Sequence, residues 1–199
     1  GGTNGKGSTA SFLAAIGSAS GERVGLHTSP HLQTVRERMR VGGQPVDAET
    51  FAEAVERWQP LFEEVRPSFF EATLALSLWQ FAEAAVDRAI VEVGMGGRLD
   101  ATNVLTPELA IITHVGLDHT RFLGETLAEI AREKAGIVKE GVPVLIGSMP
   151  TEAASVIAEV AAERRAPLHV LKREVTTRAD GDRGAEGRAA YPQLTAVSP

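Results

Sequence analysis

The chain has 199 residues, of which 43% are hydrophobic and 23% charged, and it carries a net charge of −6. This composition is typical of one globular domain with a substantial core, and the excess of acidic residues argues against nonspecific binding to nucleic acid. The chain has no cysteine, which excludes disulfides and thiolate metal sites, and no apolar run approaches the ~20 residues that span a bilayer. We therefore expect a cytoplasmic monomer that acts on small molecules, with neither nucleic acid nor membrane as a partner.

The chain opens with a glycine-rich turn, Gly2-Thr3-Asn4-Gly5-Lys6-Gly7-Ser8. Small residues let backbone N–H groups face an anion and Lys6 adds a full charge, so the turn predicts binding of the phosphates of ATP or GTP. The match to the usual phosphate-loop pattern is partial, because Gly7 stands where a Ser or Thr follows the lysine and Ser8 comes one place late. A chance glycine turn is the alternative, and the helical spacing of apolar residues over 8–19 favours the phosphate loop. Since a hydrophobic strand normally precedes such a loop, we expect the chain to be a fragment.

Short apolar runs further along predict parallel strands that are covered on both faces. They lie at 24–27, 88–93, 109–114, 143–146 and 167–171.

Amphipathic stretches between these runs predict four more helices. The first is capped by Asp47, with Phe51, Val55, Trp58 and Phe62 along one stripe. The second covers 70–86, with Leu74, Leu78 and Phe81 facing inward. The third begins at a capping box of Thr126 and Glu129 and ends near Gly141, and the fourth covers 151–165.

Alternating strands and helices predict an α/β domain with a mostly parallel sheet, flanking helices and no first strand. This domain covers 1–172. Residues 173–199 have few large apolar side chains. We interpret them as a flexible tail or the start of a connection to a missing C-terminal domain.

Ligands of open parallel sheets bind at the carboxyl ends of the strands, where three polar residues of this chain should meet. Ser29 and Glu92 offer the oxygen atoms that Mg²⁺ prefers, whereas His119 binds a second metal or orients water. Because a lone carboxylate in an apolar strand is costly to bury, Glu92 is interpreted as functional. The plain alternatives are a turn residue for Ser29 and a solvated lysine for Lys134.

Histidines 27, 31 and 114 are by default surface or core residues, and the two tryptophans, Trp58 and Trp79, are interpreted as helix core.

Seven motifs occur in a fixed order: GTNGKGS, TSPHL (28–32), ERMRVGG (37–43), FFEATL (69–74), EVGMGGRLDATN (92–103), LDHTRFLG (117–124) and EKAGIVK (133–139). Over residues 1–147 the chain therefore resembles the folylpolyglutamate synthase/dihydrofolate synthase family of the Mur ligase superfamily. The resemblance implies the central, P-loop NTPase-like domain of a ligase. Such an enzyme uses ATP and two Mg²⁺ ions to join L-glutamate to a folate, to dihydropteroate, or to both, through an acyl phosphate.

The resemblance also implies roles for individual residues. It places Thr3, Asn4, Gly5, Lys6, Gly7 and Ser8 at the phosphates, Ser29, Glu92, His119 and a carbamylated Lys134 at the metals, and Phe70, Arg98 and Asp100 near the pterin-bearing substrate. Lys6, Lys134 and His119 are the expected catalytic residues.

Two other functions stay open at this point, another Mur-type amino-acid ligase and a nucleotide-binding switch or regulatory ATPase. The motifs TSPHL and GGRLDATN disfavour a ligase of cell-wall precursors. We expect the isolated chain to be inactive in ligation, because the family's C-terminal domain carries contacts to glutamate and to the nucleoside.

Overall fold

The computed structural model describes residues 1–171 and 194–197. Within these residues the α-helices are α1 (Lys6–Ala19), α2 (Ala48–Val65), α3 (Phe69–Glu83), α4 (Thr120–Leu123), α5 (Leu127–Ala135) and α6 (Thr151–Glu163). The strands are β1 (Val24–His27), β2 (Met39–Val41), β3 (Gln44–Pro45), β4 (Arg88–Val91), β5 (Ala110–Ile112), β6 (Val144–Ile146), β7 (Leu168–Leu171) and β8 (Leu194–Val197). Two 3-10 helices lie at Val35–Arg38 and Ala101–Val104.

The strands form two four-stranded sheets. The first has the order β3-β2-β1-β4, with β1 parallel to β4, and the second has the order β5-β6-β7-β8, with β5, β6 and β7 parallel. All five strands predicted from the sequence form and pair in parallel, which confirms the α/β fold. The antiparallel strands β2, β3 and β8 were not predicted. The expected single sheet is two sheets, because β4 and β5 do not pair with each other in the described part of the chain.

A cavity of about 740 Å³ separates β4 from β5. Its walls are the facing edges of these strands and the side chains of Ala10, Leu13 and Ile16 on α1. Gly1 lies at one end, where its N–H group donates to Ile111 O at 2.7 Å and its carbonyl accepts from Thr113 N at 3.0 Å. This is the hydrogen-bond pattern of a parallel ladder, so Gly1 connects the glycine-rich turn to the second sheet.

The largest core lies between the second sheet and helices α5 and α6. Its fully buried side chains include Ile112, Ile130, Val144, Ile146 and Ile157, each at most 1% exposed. Smaller cores lie under α1 and between α2, α3 and β2. These cores fix the carboxyl ends of β1, β4 and β5, which carry the candidate site.

Helix boundaries follow the predicted caps at their N-termini. The Asp47 carboxylate accepts from Thr50 N at 2.9 Å, and Thr126 and Glu129 form the predicted capping box. The C-terminus of α5 was predicted near Gly141 and lies at Ala135, because Arg98 N–H donates to Glu133 O at 2.9 Å and takes the carbonyl that a longer helix would use.

The inward face of α3 also differs in part from the prediction. Leu74 and Phe81 are buried as predicted, but Leu78 is half-buried, and Leu76 and Ser77 are buried in its place. The reason is that α3 packs against both β1 and β2, which makes its buried face wider than one stripe. The predicted tail lies mostly outside the described residues, and the described part of it is strand β8. In the described residues, no helix combines the length and apolar character needed to cross a membrane.

His27 ends β1 with its side chain fully buried. The Ser77 hydroxyl donates to Thr73 O, so Ser77 Oγ accepts from His27 Nδ1 at 2.8 Å, and the opposite ring nitrogen, Nε2, has no hydrogen-bond partner among the described residues. Burial, together with the charge of Arg38, lowers the pKa of His27 to about 4. His27 is therefore a neutral core residue.

We expect acid to destabilise the protein through His27. The unfolded chain takes up a proton near pH 6.5, whereas the folded chain resists until about pH 4, so the free energy of unfolding falls as the pH drops through this window. Relative to His27→Asn, the wild-type protein should lose about 3 kcal/mol more between pH 7.5 and pH 4. Urea unfolding at both pH values measures the difference, and parallel pH curves for the two proteins would contradict it.

Candidate nucleotide and acceptor site

The glycine-rich turn and the N-terminus of α1 form one wall of the site. Gly5 precedes α1 with φ +79°, a conformation that favours glycine, and no described side chain caps the helix. The Lys6 ammonium folds back and donates to Gly2 O at 3.0 Å. The first amide groups of α1 and the lysine charge are thus available to an anion.

The loop that follows β5 holds the turn in place. Thr3 N–H donates to His114 O at 2.7 Å, and the Thr3 hydroxyl exchanges hydrogen bonds with Gly116. The Thr113 hydroxyl donates to Asn4 O at 2.6 Å. The second sheet therefore fixes the position of the phosphate loop, a role of Thr113 that the sequence analysis missed.

Glu92 follows β4 and lies against the turn. Its side chain is 6% exposed, and one carboxylate oxygen accepts from Ser29 N–H at 3.0 Å. A Cβ atom added to Gly7 would come within 3.4 Å of the same carboxylate. The structure thus brings the turn, Ser29 and Glu92 together, although they come from three separate parts of the chain.

Lys6, His119 and Lys134 line a second, smaller cavity with Asp118. The Lys134 side chain is only 3% exposed, and burial, followed by the charge of Lys6, lowers its pKa to about 8. The simple interpretation of Lys134 as a solvated lysine is therefore wrong. His119 has a side chain that is 55% exposed and lies 3.7 Å from the Asp118 carboxylate.

The segment from Gly94 to Asn103 covers Lys134 and explains its burial. A Cβ atom added to Gly97 would lie 2.7 Å from the Lys134 carbonyl, so the two backbones are in direct contact. The Asn103 amide donates to the carbonyls of Arg98 and Gly136, at 3.0 and 3.1 Å, and clamps the segment onto the end of α5.

Of the three residues expected near the pterin-bearing substrate, two lie together. The Phe70 ring and the Asp100 carboxylate both approach Gly94, while Arg98 turns away to an ion pair with Glu133 at 2.8 Å. Asp100 also accepts from Met95 N–H and Thr102 N–H, both at 3.0 Å, so it organises the segment in addition to any contact with a ligand.

No group of three His, Asp or Glu side chains among the described residues is arranged to hold a metal ion. Mg²⁺ commonly takes one or two carboxylates from a protein and the remaining oxygens from phosphates and water. The buried Glu92 carboxylate beside the phosphate loop, together with the Ser29 hydroxyl, fits that mode of binding. Glu92 and Ser29 alone do not form a complete cation site, because the remaining oxygen ligands would come from phosphate and water.

Glu37 organises the neighbouring loop, a role the sequence analysis did not assign. Its carboxylate accepts from the backbone N–H groups of Leu32, Gln33 and Thr34 at 2.8–2.9 Å, and these bonds lower its pKa to about 2. The loop brings His31 to Arg38, whose Nε donates to His31 Nδ1 at 2.9 Å. The capping box of Thr34 and Glu37 is the sequence signal for this loop.

Comparison with known proteins identifies the wider relationship. The family model described as Mur ligase middle domain matches residues 1–174. The dihydrofolate synthase/folylpolyglutamate synthase of Bacillus subtilis is 42% identical over 177 residues, which are 85% of this chain and 41% of that protein.

Two solved structures have the same fold. A complex of FPGS with AMPPCP and folate superposes with a TM-score of 0.82 at 37% identity, covering 86% of this chain and 45% of that one. E. coli FolC in complex with DHPP and ADP superposes with a TM-score of 0.80 at 38% identity, covering 87% and 43%. The chain thus spans less than half the length of the proteins it matches.

We expect Glu37→Gln to loosen the loop before the first 3-10 helix. An uncharged amide is a weaker acceptor for the three backbone N–H groups, so hydrogen exchange at residues 32–34 should become several-fold faster. In the wild-type protein, the protection of residues 32–34 against hydrogen exchange should persist below pH 4.5, where an ordinary glutamate takes up a proton. It should disappear near pH 2, where Glu37 itself becomes protonated. Glu49→Gln, an exposed acid in the first turn of α2, is the control. Equal exchange in all three proteins would contradict the assignment.

Proposed function

The chain belongs to the Mur ligase middle-domain family, and on that premise we propose that the complete protein joins L-glutamate to a folate at the expense of ATP. The names of the similar proteins support the substrates: folylpolyglutamate synthases recur among them, and one solved relative carries both a nucleotide analogue and folate.

One observation carries the proposal. The Glu92 carboxylate is buried beside the phosphate loop and forms no ion pair within the described residues. An isolated buried carboxylate is costly, and a divalent cation between it and a polyphosphate removes that cost. Mg²⁺ held by Glu92 and Ser29 would neutralise phosphate charge, which is the main requirement of phosphoryl transfer.

Residues of this chain then act in two steps, a phosphoryl transfer and an acyl transfer. First, an oxygen of the folate carboxylate attacks the γ-phosphorus of ATP, and the bond from this phosphorus to the β–γ bridging oxygen breaks. ADP departs, and the carboxylate has become an acyl phosphate. The ammonium of Lys6 and the N–H groups of Asn4, Gly5, Gly7 and Ser8 stabilise the charge on the phosphates, whereas Thr3 N–H is already engaged by His114 O. Second, the amino group of glutamate attacks the acyl carbon, inorganic phosphate leaves, and the nitrogen loses a proton.

We propose that Lys134 is carbamylated, which its burial and its lowered pKa support. At pH 7.5 a pKa of about 8 leaves roughly a quarter of the amine neutral, against about one part in a thousand for an ordinary lysine. The neutral amine adds to CO₂ and releases one proton, which gives a carbamate anion. That anion lies in the cavity shared with Lys6 and His119 and would supply, with His119, oxygen and nitrogen ligands for a second Mg²⁺.

Dihydropteroate is the second candidate acceptor. The B. subtilis relative is named for both activities, and the E. coli structure contains DHPP. Phe70 and Asp100 beside Gly94 offer a ring face and a carboxylate to a pterin in either acceptor.

A turnover assay tests the proposed function. In the complete protein, phosphate release from ATP should require both a folate and glutamate, and Glu92→Gln should lower kcat by at least about 100-fold because the carboxylate that would hold Mg²⁺ against the phosphates is lost. Glu108→Gln is the matched control, because this glutamate is 89% exposed and pairs only with Arg88. Phosphate release that is indifferent to both substrates would instead indicate a nucleotide switch, and turnover of a cell-wall precursor would indicate another Mur-type ligase.

The carbamate has its own test. Protein equilibrated with ¹³C-bicarbonate should show a carbamate carbon resonance that Lys134→Arg abolishes and Lys139→Arg retains, since Lys139 already donates to Asn103 O at 2.7 Å. Removal of CO₂ should lower ligation, and bicarbonate should restore it. A resonance that persists in Lys134→Arg would assign the carbamate elsewhere and refute this role.

A further inference from the structure

Arg38 is a buried arginine at the end of the first 3-10 helix. It is 9% exposed, its Nε donates to His31 Nδ1 at 2.9 Å, and its guanidinium carbon lies 5.1 Å from the centre of the Phe69 ring. The hydrogen bond and the stacking fix the plane of the guanidinium group.

This guanidinium group has no acidic partner in the described part of the chain. Arg38 takes part in no ion pair there, and its two Nη groups form no hydrogen bond. The adjacent carboxylate, Glu37, is already occupied by three backbone N–H groups. Neither Nη group is among the fully buried polar atoms that lack a partner, so the free edge of Arg38 reaches solvent and is open to an anion from outside the chain.

The neighbouring arginines also form no ion pair in the described part of the chain, but they are only half-buried. Arg36 donates to Val46 O at 2.9 Å and Arg40 donates to Glu37 O at 3.3 Å, so each has a backbone carbonyl as a partner. Arg38 alone of the three combines deep burial, a fixed plane and two unengaged donors. The charge of Arg38 also acts within the protein, because it contributes to the lowered pKa of His27.

Arg38 lies next to the proposed ligation site but outside the cavity of Lys6, His119 and Lys134. Thr28 N–H donates to Arg38 O at 3.2 Å, which places Arg38 beside the residue that precedes Ser29. Phe69, on which the guanidinium group stacks, precedes Phe70. None of Arg38, His31 and Phe69 lines the small cavity of Lys6 and Lys134. An anion held by Arg38 would therefore lie outside this small cavity.

We propose that Arg38 binds the non-reacting α-carboxylate of the folylglutamate acceptor while the γ-carboxylate faces the phosphate loop. This inference rests on the proposed function and extends it to a residue that determines specificity. A guanidinium edge matches the two oxygens of a carboxylate, and such paired hydrogen bonds give both strength and orientation.

Replacement of the α-carboxylate by a carboxamide tests the contact directly. The complete wild-type protein should prefer a folylglutamate over its α-carboxamide by about 10- to 100-fold in kcat/KM, the range expected for a charge-assisted hydrogen bond. Arg38→Gln should reduce this preference below about threefold and leave the KM for ATP unchanged. Arg38→Lys should retain part of the preference, and Arg40→Gln, the matched control, should retain all of it.

Three results would overturn the inference. They are a wild-type protein without preference between acid and amide, an Arg38→Gln variant that keeps the full preference, and an Arg40→Gln variant that loses it equally. Equilibrium binding of the acid and the amide to the ATP-loaded protein separates this inference from the proposed function. If ligation fails with both acceptors while binding still prefers the acid in an Arg38-dependent way, the proposed reaction is wrong and the carboxylate contact stands.

Discussion

The buried carboxylate of Glu92, held by the Ser29 amide against the phosphate loop, is the contact on which the rest of the site depends. A charge in this position is unfavourable in the protein alone and becomes favourable when phosphate and a cation are present. The burial of Glu92 therefore favours binding of a cation and a phosphate at this position. Lys134 and Arg38 follow the same principle, since each is a buried cationic side chain without an ion pair in the described residues.

The two sheets contribute unequally to this arrangement. In the first sheet, Ser29 follows β1 and Glu92 follows β4. The second sheet holds the phosphate loop through hydrogen bonds of Gly1, Thr113 and the carbonyl of His114. Because the loop is bonded to one sheet and faces the carboxylate of the other, the distance between the sheets sets the geometry of the nucleotide site. The large core under α5 and α6 makes the second sheet the more rigid of these supports.

Much of this arrangement could be predicted from the sequence, and the rest could not for identifiable reasons. The position of Glu92 beside the glycine-rich turn was predictable from its place at the end of an apolar run, and the five parallel strands were predictable as apolar runs. Strands β2 and β3 have only three and two residues, too few for a periodic pattern. The burial of Lys134 depends on the segment from Gly94 to Asn103, which lies more than thirty residues away in the sequence and packs onto its helix. Helical periodicity does not indicate such a long-range contact. The sequence shows the charge of Arg38. It does not show that the neighbouring Glu37 carboxylate is engaged by backbone N–H groups and is therefore no partner for Arg38.

The main-chain contact between Gly97 and Lys134 has a consequence for how such a protein diversifies. Two backbones meet there without an intervening layer of side chains, so a side chain larger than glycine at position 97 would push the segment away from the helix that carries Lys134. Met95 and Leu99 on the same segment are exposed, so a substitution at either position would change the surface of the segment without disturbing this contact. Under the proposed function, the surface that meets the acceptor can therefore change without moving Lys134.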